Sequence, residues 1–383
     1  MNDLMREFYE KLLQEILSNI ENQYNDNYDF YRFGNKPPIN SSWKSRVKKN
    51  LVKYLKLKDI SLSTNRYLNA VSQLSPYFAG IYNLYTILDD EESKGLLIKL
   101  VAYKILGEEK VKLPLNTLDY WTDIEKMQSY KSPDDFINVR FVQDKTIQLY
   151  KYDLTPLNLP IKLYYTYRGI YNNAIVKQYE YLSGNVSIKI EEGDVVLDCG
   201  GCWGDTALFF ANEVGEKGHV YSFEFIPDNI KTFEINKNLN SNLKDKITLV
   251  PHPLDERSDK NLFYIDNGPG SKVSSEIIQG SENVKTINID DFIDRYNVSK
   301  VDFIKMDIEG MELPALKGGL NTIKQFKPKL AISIYHNLDD FVNIADYLKS
   351  LDLGYKFYLK HGTIHNEETV LLAITDSKNK NNA

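Results

Sequence analysis

Three short stretches concentrate the residues able to do chemistry. In GDVVLDCGGCWGDTA, residues 193–207, an apolar run ends in Asp198 and is followed by Gly200, Gly201 and Gly204. Glycines there allow a sharp turn and close approach of backbone to a ligand. A helix starting at Asp205 would aim its first amides over that loop. Glu224 closes the next apolar run, VYSFEF, 20 residues after Gly204, with Phe225 beside it. An acid at that place can accept from both hydroxyls of a ribose. The pairing suits a nucleoside cofactor, and the loop separates two of them. A nicotinamide dinucleotide brings a pyrophosphate, which goes with G-x-G-x-x-G. Here the spacing is D-x-G-G-x-x-G. Asp198 would repel a phosphate and could receive the ammonium of a methionine moiety. The expected cofactor is therefore S-adenosylmethionine, with Asp198, Gly200, Gly201, Gly204, Glu224, Phe225 and Asp307 as its candidate ligands.

The third stretch is VDFIKMDIEGMELPALKGG, residues 301–319. Strand alternation puts Val301, Phe303, Lys305 and Asp307 on one face. A Lys and an Asp on a core face are costly to bury without a use. The carboxyl end of a parallel strand is where open sheets place ligands. Lys305, Asp307 and Glu309 are thus catalytic candidates, against a structural Lys305–Asp307 pair as the alternative. Glu312 reads as first-turn helix charge. His336 ends LAISIYHN and His361 ends FYLKHG; two histidines at strand ends suggest a base or a metal ligand. His336 joins the catalytic candidates, and the sequence shows no full ligand set for a metal. Cys199 and Cys202 have C-x-x-C spacing, but no second pair exists for zinc,. Both read as packing residues.

These motifs need elements to hold them. From about residue 190 short apolar strands alternate with helices, the pattern of a parallel α/β sheet. Strands are expected at 194–199, 219–225, 246–250, 301–307, 329–335, 354–359 and 368–374. Helices are expected at 205–214, 227–240, 289–296, 312–326 and 340–351. The first half reads helical, with an amphipathic stripe from Met5 to Ile20,. Gly34, Pro37 and Pro38 break it, and further helices are expected at 43–57, 66–88 and 89–106, the last stopping at Gly107. IKLYYTY, residues 161–167, reads as a strand or hairpin. The division is a mostly helical extension over 1–165, a cofactor-binding domain over 166–376 and an unstructured tail over 377–383.

Composition closes off other classes. Apolar runs such as LAISIY and TVLLAI are far shorter than the ~20 residues of a spanning helix,. Asp3, Glu7 and Glu10 do not fit a signal peptide,. Two cysteines make no disulfide framework, which points to the cytoplasm,. A net charge of −6 gives no electrostatic footprint for nucleic acid,.

Taken together, VVLDCGGCWGDTA, VYSFEF, VDFIKMDIEGMELPALKGG and LAISIYH resemble the FkbM family of S-adenosylmethionine-dependent methyltransferases, over roughly residues 190–375. DDEESKGLLIKLVAYKILG and IKLYYTY are similar to the N-terminal extension of one bacterial branch. The family more often has Asn at the place of Cys202 and often an acid at that of His336. The resemblance implies a Rossmann-like class I methyltransferase sheet and O-methylation of a sugar hydroxyl in polysaccharide or glycoconjugate biosynthesis. The acceptor would be a small molecule or glycan, and a homo-oligomer is left open. In the in-line transfer, His336 or Asp307 would be the base and Lys305 would steer the acceptor. The helical extension would cover the site as a lid. The alternatives are a non-catalytic sugar-binding or scaffold protein and, third, a nicotinamide oxidoreductase.

Overall fold

The computed structural model describes residues 3–29, 58–141, 145–277 and 279–379. The expected helix at 43–57 and the break at Gly34, Pro37 and Pro38 lie outside the described residues. The extension opens with helices α1 (Asp3–Asn19), α2 (Lys58–Leu74), α3 (Phe78–Ile87), α4 (Glu91–Leu106) and α5 (Leu118–Ser129). The single helix expected over 66–88 is two, because Pro76 starts a 3-10 turn at Ser75–Tyr77. α4 has the punctuation read from its sequence. Asp90 caps it by accepting from Ser93 N at 2.8 Å, and Gly107 ends it at φ 84°,.

A three-stranded antiparallel sheet then follows, β1 (Lys131–Phe141), β2 (Lys145–Asp153) and β3 (Lys162–Tyr165); β3 falls in the expected strand at IKLYYTY, while β1 and β2 stand in a region expected to be mostly helical. Beyond it come a short helix α6 (Tyr167–Ile170) and the hairpin β4 (Tyr181–Ser183) and β5 (Val186–Ile188). The main domain runs β6 (Val195–Cys199), α7 (Asp205–Glu213), β7 (His219–Phe223), α8 (Pro227–Asn238) and β8 (Ile247–Val250). A small sheet of β9 (Asn261–Tyr264), β10 (Val273–Ser274) and β11 (Glu282–Lys285) is inserted next. The chain continues through α9 (Ile289–Arg295), β12 (Phe303–Met306), α10 (Glu312–Gly318), α11 (Leu320–Phe326) and β13 (Lys329–Ser333). It closes with α12 (Leu338–Ser350), β14 (Tyr355–His361) and β15 (Thr369–Thr375). The one helix expected over 312–326 bends into α10 and α11 at Gly318–Gly319, where a side chain on Gly318 would lie 2.5 Å from the Asp255 carbonyl.

The central sheet has the order β14-β15-β13-β12-β6-β7-β8. β13, β12, β6, β7 and β8 are mutually parallel, and β15 runs antiparallel between β13 and β14. Register fixes one row of consequence. Asp198 on β6 stands beside Ser222 on β7 and Lys305 on β12.

Both faces of this sheet are cores shared with the first 165 residues. On one face Phe8, Ile81, Leu97 and Val101 pack with Phe341, Ile344, Phe357 and Leu359. On the other Ile124, Tyr152 and Leu163 pack with Leu208, Phe303 and Leu372. A fragment beginning near Ile170 would lose part of the cover on both faces. Of the tail expected to be unstructured, Ser377 and Lys378 belong to a 3-10 turn that starts at Asp376, with Lys378 Nζ donating to Asp302 Oδ1 at 2.9 Å, and residues 380–383 lie outside the described residues. Among the described residues no helix is long and apolar enough to cross a membrane.

Candidate active site

The glycine loop folds tightly because two strands present their ends to it. Gly200 has φ 93°, and a Cβ there would lie 2.0 Å from the Asp307 carbonyl oxygen, so only glycine lets β6 and β12 end side by side,. The Gly200 and Gly201 amides both donate to Phe223 O, at 3.1 and 2.8 Å. Gly204, with φ 82°, packs against the Phe233 ring before α7 begins.

Asp198 and Lys305 lie beneath this loop rather than in the open site. Asp198 is 0% exposed. Its oxygens accept from Thr206 Oγ1 at 2.9 and 3.0 Å and from Ser222 Oγ at 2.7 Å, and Lys305 Nζ stands 3.2 Å away. Lys305 is 1% exposed, and its Nζ donates to Gly200 O at 2.7 Å and Cys199 O at 3.3 Å. Burial works against its charge, but the Asp198 and Asp307 carboxylates more than offset this and hold the ammonium above its ordinary range. Two expectations change accordingly. Asp198 cannot take a cofactor ammonium while its oxygens are engaged, and Lys305 cannot steer an acceptor while its donors hold the loop. Both are the loop's fastening.

Glu224 is the acid that faces a recess. Its Oε1 accepts from the Phe225 and Ile226 amides at 2.6 and 2.7 Å, and Oε2 accepts from Asn229 Nδ2 at 3.2 Å. Burial pushes its carboxyl up to about 7 despite these donors. The recess is walled by Gly200, Phe225, His252, Leu254, Ile308 and Met311. It meets a wider cleft of about 1070 Å³ at Gly200, Cys202, Asp307 and Glu309. The cleft's other wall includes Phe141, Ile147, Tyr165, Tyr167 and Trp203. Among the described residues, the part of the extension that lines the cleft is β1–β3 and the segment after it. Arg140 Nη1 donates across to Asp266 O at 3.3 Å.

Asp307 sits at the junction with its side chain 18% exposed. It accepts from Tyr179 Oη at 2.9 Å and Tyr335 Oη at 3.2 Å, two partners that no motif pointed to. His336 Nε2 is 3.2 Å from Asp307 Oδ1 and 3.8 Å from Glu309 Oε1, and its Nδ1 is 3.0 Å from Glu312 Oε1. Glu309 and Gly310 adopt left-handed φ of 58° and 99°. The turn they make lets the buried Glu312 accept from Ile308 N at 2.8 Å and Gly310 N at 3.0 Å. Burial opposes charge on His336, yet hydrogen-bonding distance to Asp307 and Glu312 pushes it up to about 11. Burial would raise Asp307, but His336 and Lys305 hold it well below the usual carboxylate range. The acids around the ring thus favour the protonated form of His336, which argues against the role as base expected from the sequence.

Other candidates stay structural. His361 is buried, with Nδ1 2.9 Å from Thr369 Oγ1 and Nε2 2.6 Å from His365 O, and it lines neither the recess nor the cleft. Cys199 and Cys202 are free thiols, both pushed up by burial, which leaves them unreactive as a redox pair,.

A sheet of this order, with an acid facing a recess at the carboxyl end of β7 and a charged turn after β12, defines the Rossmann-like class I methyltransferase fold. Residues 197–357 match the family model described as the methyltransferase FkbM domain. A curated relative is the hexuronic acid methyltransferase AglP of Haloferax volcanii, 30% identical over 141 residues, which are 36% of this chain and 54% of that protein. The chain thus spans about half the length of that relative. Among solved structures, the methyltransferase FkbM of Methylobacillus flagellatus KT is similar with a TM-score of 0.49 and 20% identity, over 79% of this chain and 60% of that one. Fibrillarin of Aeropyrum pernix, solved with bound S-adenosyl-L-methionine, gives a TM-score of 0.30 and 16% identity, over 48% and 67% of the two chains.

Proposed function

We propose that the chain transfers a methyl group from S-adenosylmethionine to a hydroxyl of a sugar. The observation that carries this is the junction itself. A recess with Glu224 on its wall opens at Asp307 into a wider cleft with room for a sugar. The residues fit the cofactor. Glu224 keeps lone pairs for ribose hydroxyls, Phe225, Leu254 and Ile308 offer apolar contact to a base, and the loop presents no cradle for a pyrophosphate. With Asp198 closed off, Asp307 is the carboxylate open to the cofactor's positive end. S-adenosylmethionine supplies a methyl group already activated on a sulfonium.

The chain's own residues orient the partners. Asp307, fixed by Tyr179 and Tyr335, takes a hydrogen bond from the acceptor hydroxyl and aims its oxygen along the transfer line,. Tyr165, Tyr167 and Trp203 present aromatic faces to the C–H face of a sugar ring. The hairpin of β1 and β2, joined to the 265–270 loop through Arg140, roofs the cleft and limits water,. The AglP likeness supports a sugar acceptor.

Titration calorimetry tests the cofactor, and labelled methyl transfer to nucleotide sugars or oligosaccharides tests the reaction. S-adenosylmethionine and S-adenosylhomocysteine should bind and NADH should not; tighter NADH binding would sink the reading. Glu224→Ala should weaken cofactor binding by about 1–3 kcal/mol, the cost of leaving the ribose hydroxyls poorly paired.

A pH dependence follows from the same residue. Below about pH 7 Glu224 takes a proton and loses acceptor capacity, so cofactor affinity should fall between pH 8 and pH 6. The raised value also means that ionising Glu224 costs the fold stability as pH climbs from the ordinary carboxylate range toward 7,. Glu224→Gln should flatten both dependences. An affinity that is equally pH-dependent in that variant would place the ribose elsewhere.

A further inference from the structure

His336 is held in an unusual way. Its side chain is 4% exposed, and neither Nδ1 nor Nε2 meets the geometry of a hydrogen bond, although carboxylates stand close to both. Three of those carboxylates, Asp307, Glu309 and Glu312, converge on one ring. Donor atoms of Asp307, Glu312 and His336 all lie within 4.8 Å of one another. Lys305 acts on Asp307 and Lys272 Nζ stands 3.9 Å from Glu309 Oε2, yet three carboxylates around one ring in a water-poor place still suit a further cation,.

The three acids are not equivalent. Glu312 is fully buried and its two oxygens already accept from Ile308 N and Gly310 N. Facing Nδ1 at 3.0 Å, it fixes the ring from behind and favours the tautomer with hydrogen on Nδ1,. Loss of the Nε2 proton to solvent as an ion enters then leaves the Nε2 lone pair directed at Asp307 and Glu309, which both line the cleft,. Neighbouring ligand atoms around an octahedral ion at ~2.1 Å are about 3.0 Å apart. The Nε2–Asp307 Oδ1 separation of 3.2 Å is close to that edge, and the 3.8 Å to Glu309 Oε1 closes with a small turn of a partly exposed side chain.

We propose that His336 Nε2, Asp307 and Glu309 bind one divalent cation of the Mg²⁺ or Mn²⁺ class, with Glu312 as the positioning residue behind the imidazole. Two carboxylates and one imidazole favour Mn²⁺ over Mg²⁺. The remaining coordination positions open toward the cleft, where a sugar offers adjacent hydroxyls. Such an ion fixes those oxygens and makes one of them easier to deprotonate, a task no free base at the junction performs. This role rests on the methyltransferase reading; the binding of the ion does not.

The test uses the full chain, stripped by a chelator and titrated with MnCl₂ while the free-ion signal is followed by electron paramagnetic resonance. One Mn²⁺ per chain is expected, with Mg²⁺ competing. His336→Ala and Asp307→Asn should each weaken binding at least tenfold, and Glu312→Gln by roughly 10–100-fold, the usual effect of removing a carboxylate behind a ligating histidine. Thermal melts identify any variant that fails to fold, and the remaining variants then decide. The proposal is overturned if the wild-type chain shows no saturable Mn²⁺ binding up to millimolar concentration, or if every folded variant keeps wild-type affinity. S-adenosylmethionine binding measured by calorimetry on the same samples separates the two readings. Cofactor without ion removes this proposal alone, and ion without cofactor removes the methyltransferase reading alone.

Discussion

Lys305→Met should lower the stability of the chain by about 3–5 kcal/mol, the penalty for leaving a buried charge without its partner. Asp198 would keep its hydrogen bonds to Thr206 and Ser222 but lose the only ammonium within 4 Å among the described residues. The Gly200 and Cys199 carbonyls would lose their donor at the same time. Denaturant unfolding measures the effect, and cofactor binding should decline with it because the loop is no longer fastened. A variant of wild-type stability that has lost only turnover would return Lys305 to the catalytic role the sequence suggested. The double variant Lys305→Met, Asp198→Asn should recover part of the loss, since it removes the orphaned charge.

Asp307→Asn should act in the opposite manner. Asn keeps the shape and one acceptor oxygen for Tyr179 or Tyr335. Glu312 remains beside His336 and Asp198 beside Lys305, so stability should fall less than in Lys305→Met. Methyl transfer should fall by roughly 100-fold or more, the scale on which misaligned reacting groups lose rate. Loss of stability with transfer retained would mean that Asp307 is structural. The pair of variants thus separates two residues that lie two positions apart in one strand motif.

Why the sequence joined those two residues is instructive. Alternation places Lys305 and Asp307 on one face only while the strand lasts, and β12 ends at Met306,. Lys305 is therefore inside the sheet's row and Asp307 is past it, turned into the cleft. The row itself depends on β12 pairing with β6, about a hundred residues earlier, and no local pattern carries that register,. The apolar runs of β6, β7, β8, β12 and β13 were legible to within a few residues, because strands covered on both faces read as continuous hydrophobic stretches. β1 and β2 were not. Pro133, Asp134 and Asp135 interrupt the first, and its residues alternate between exposed and half-buried without a buried face. Glu312 looked like ordinary helix charge because its burial comes from the left-handed turn at Glu309 and Gly310. That Gly200 and Glu224 would stand around one recess was legible, because their places follow from backbone geometry and strand end. Tyr179, which holds Asp307, belongs to no motif and enters by tertiary placement alone.

The shared core sets an order on biosynthesis. α1, α3 and α4 leave the ribosome early and pack on one another, yet the remaining apolar face of α3 and α4 is covered only by α12 and β14. Roughly 250 residues separate the end of α4 from β14, which at ~5–20 residues per second is a wait of roughly 10–50 s. Throughout that interval the helices carry an uncovered apolar stripe that water alone must tolerate. A nascent chain of this kind is a natural client for a ribosome-associated chaperone. Slow codons between residues 200 and 330 would lengthen its exposure rather than help it fold.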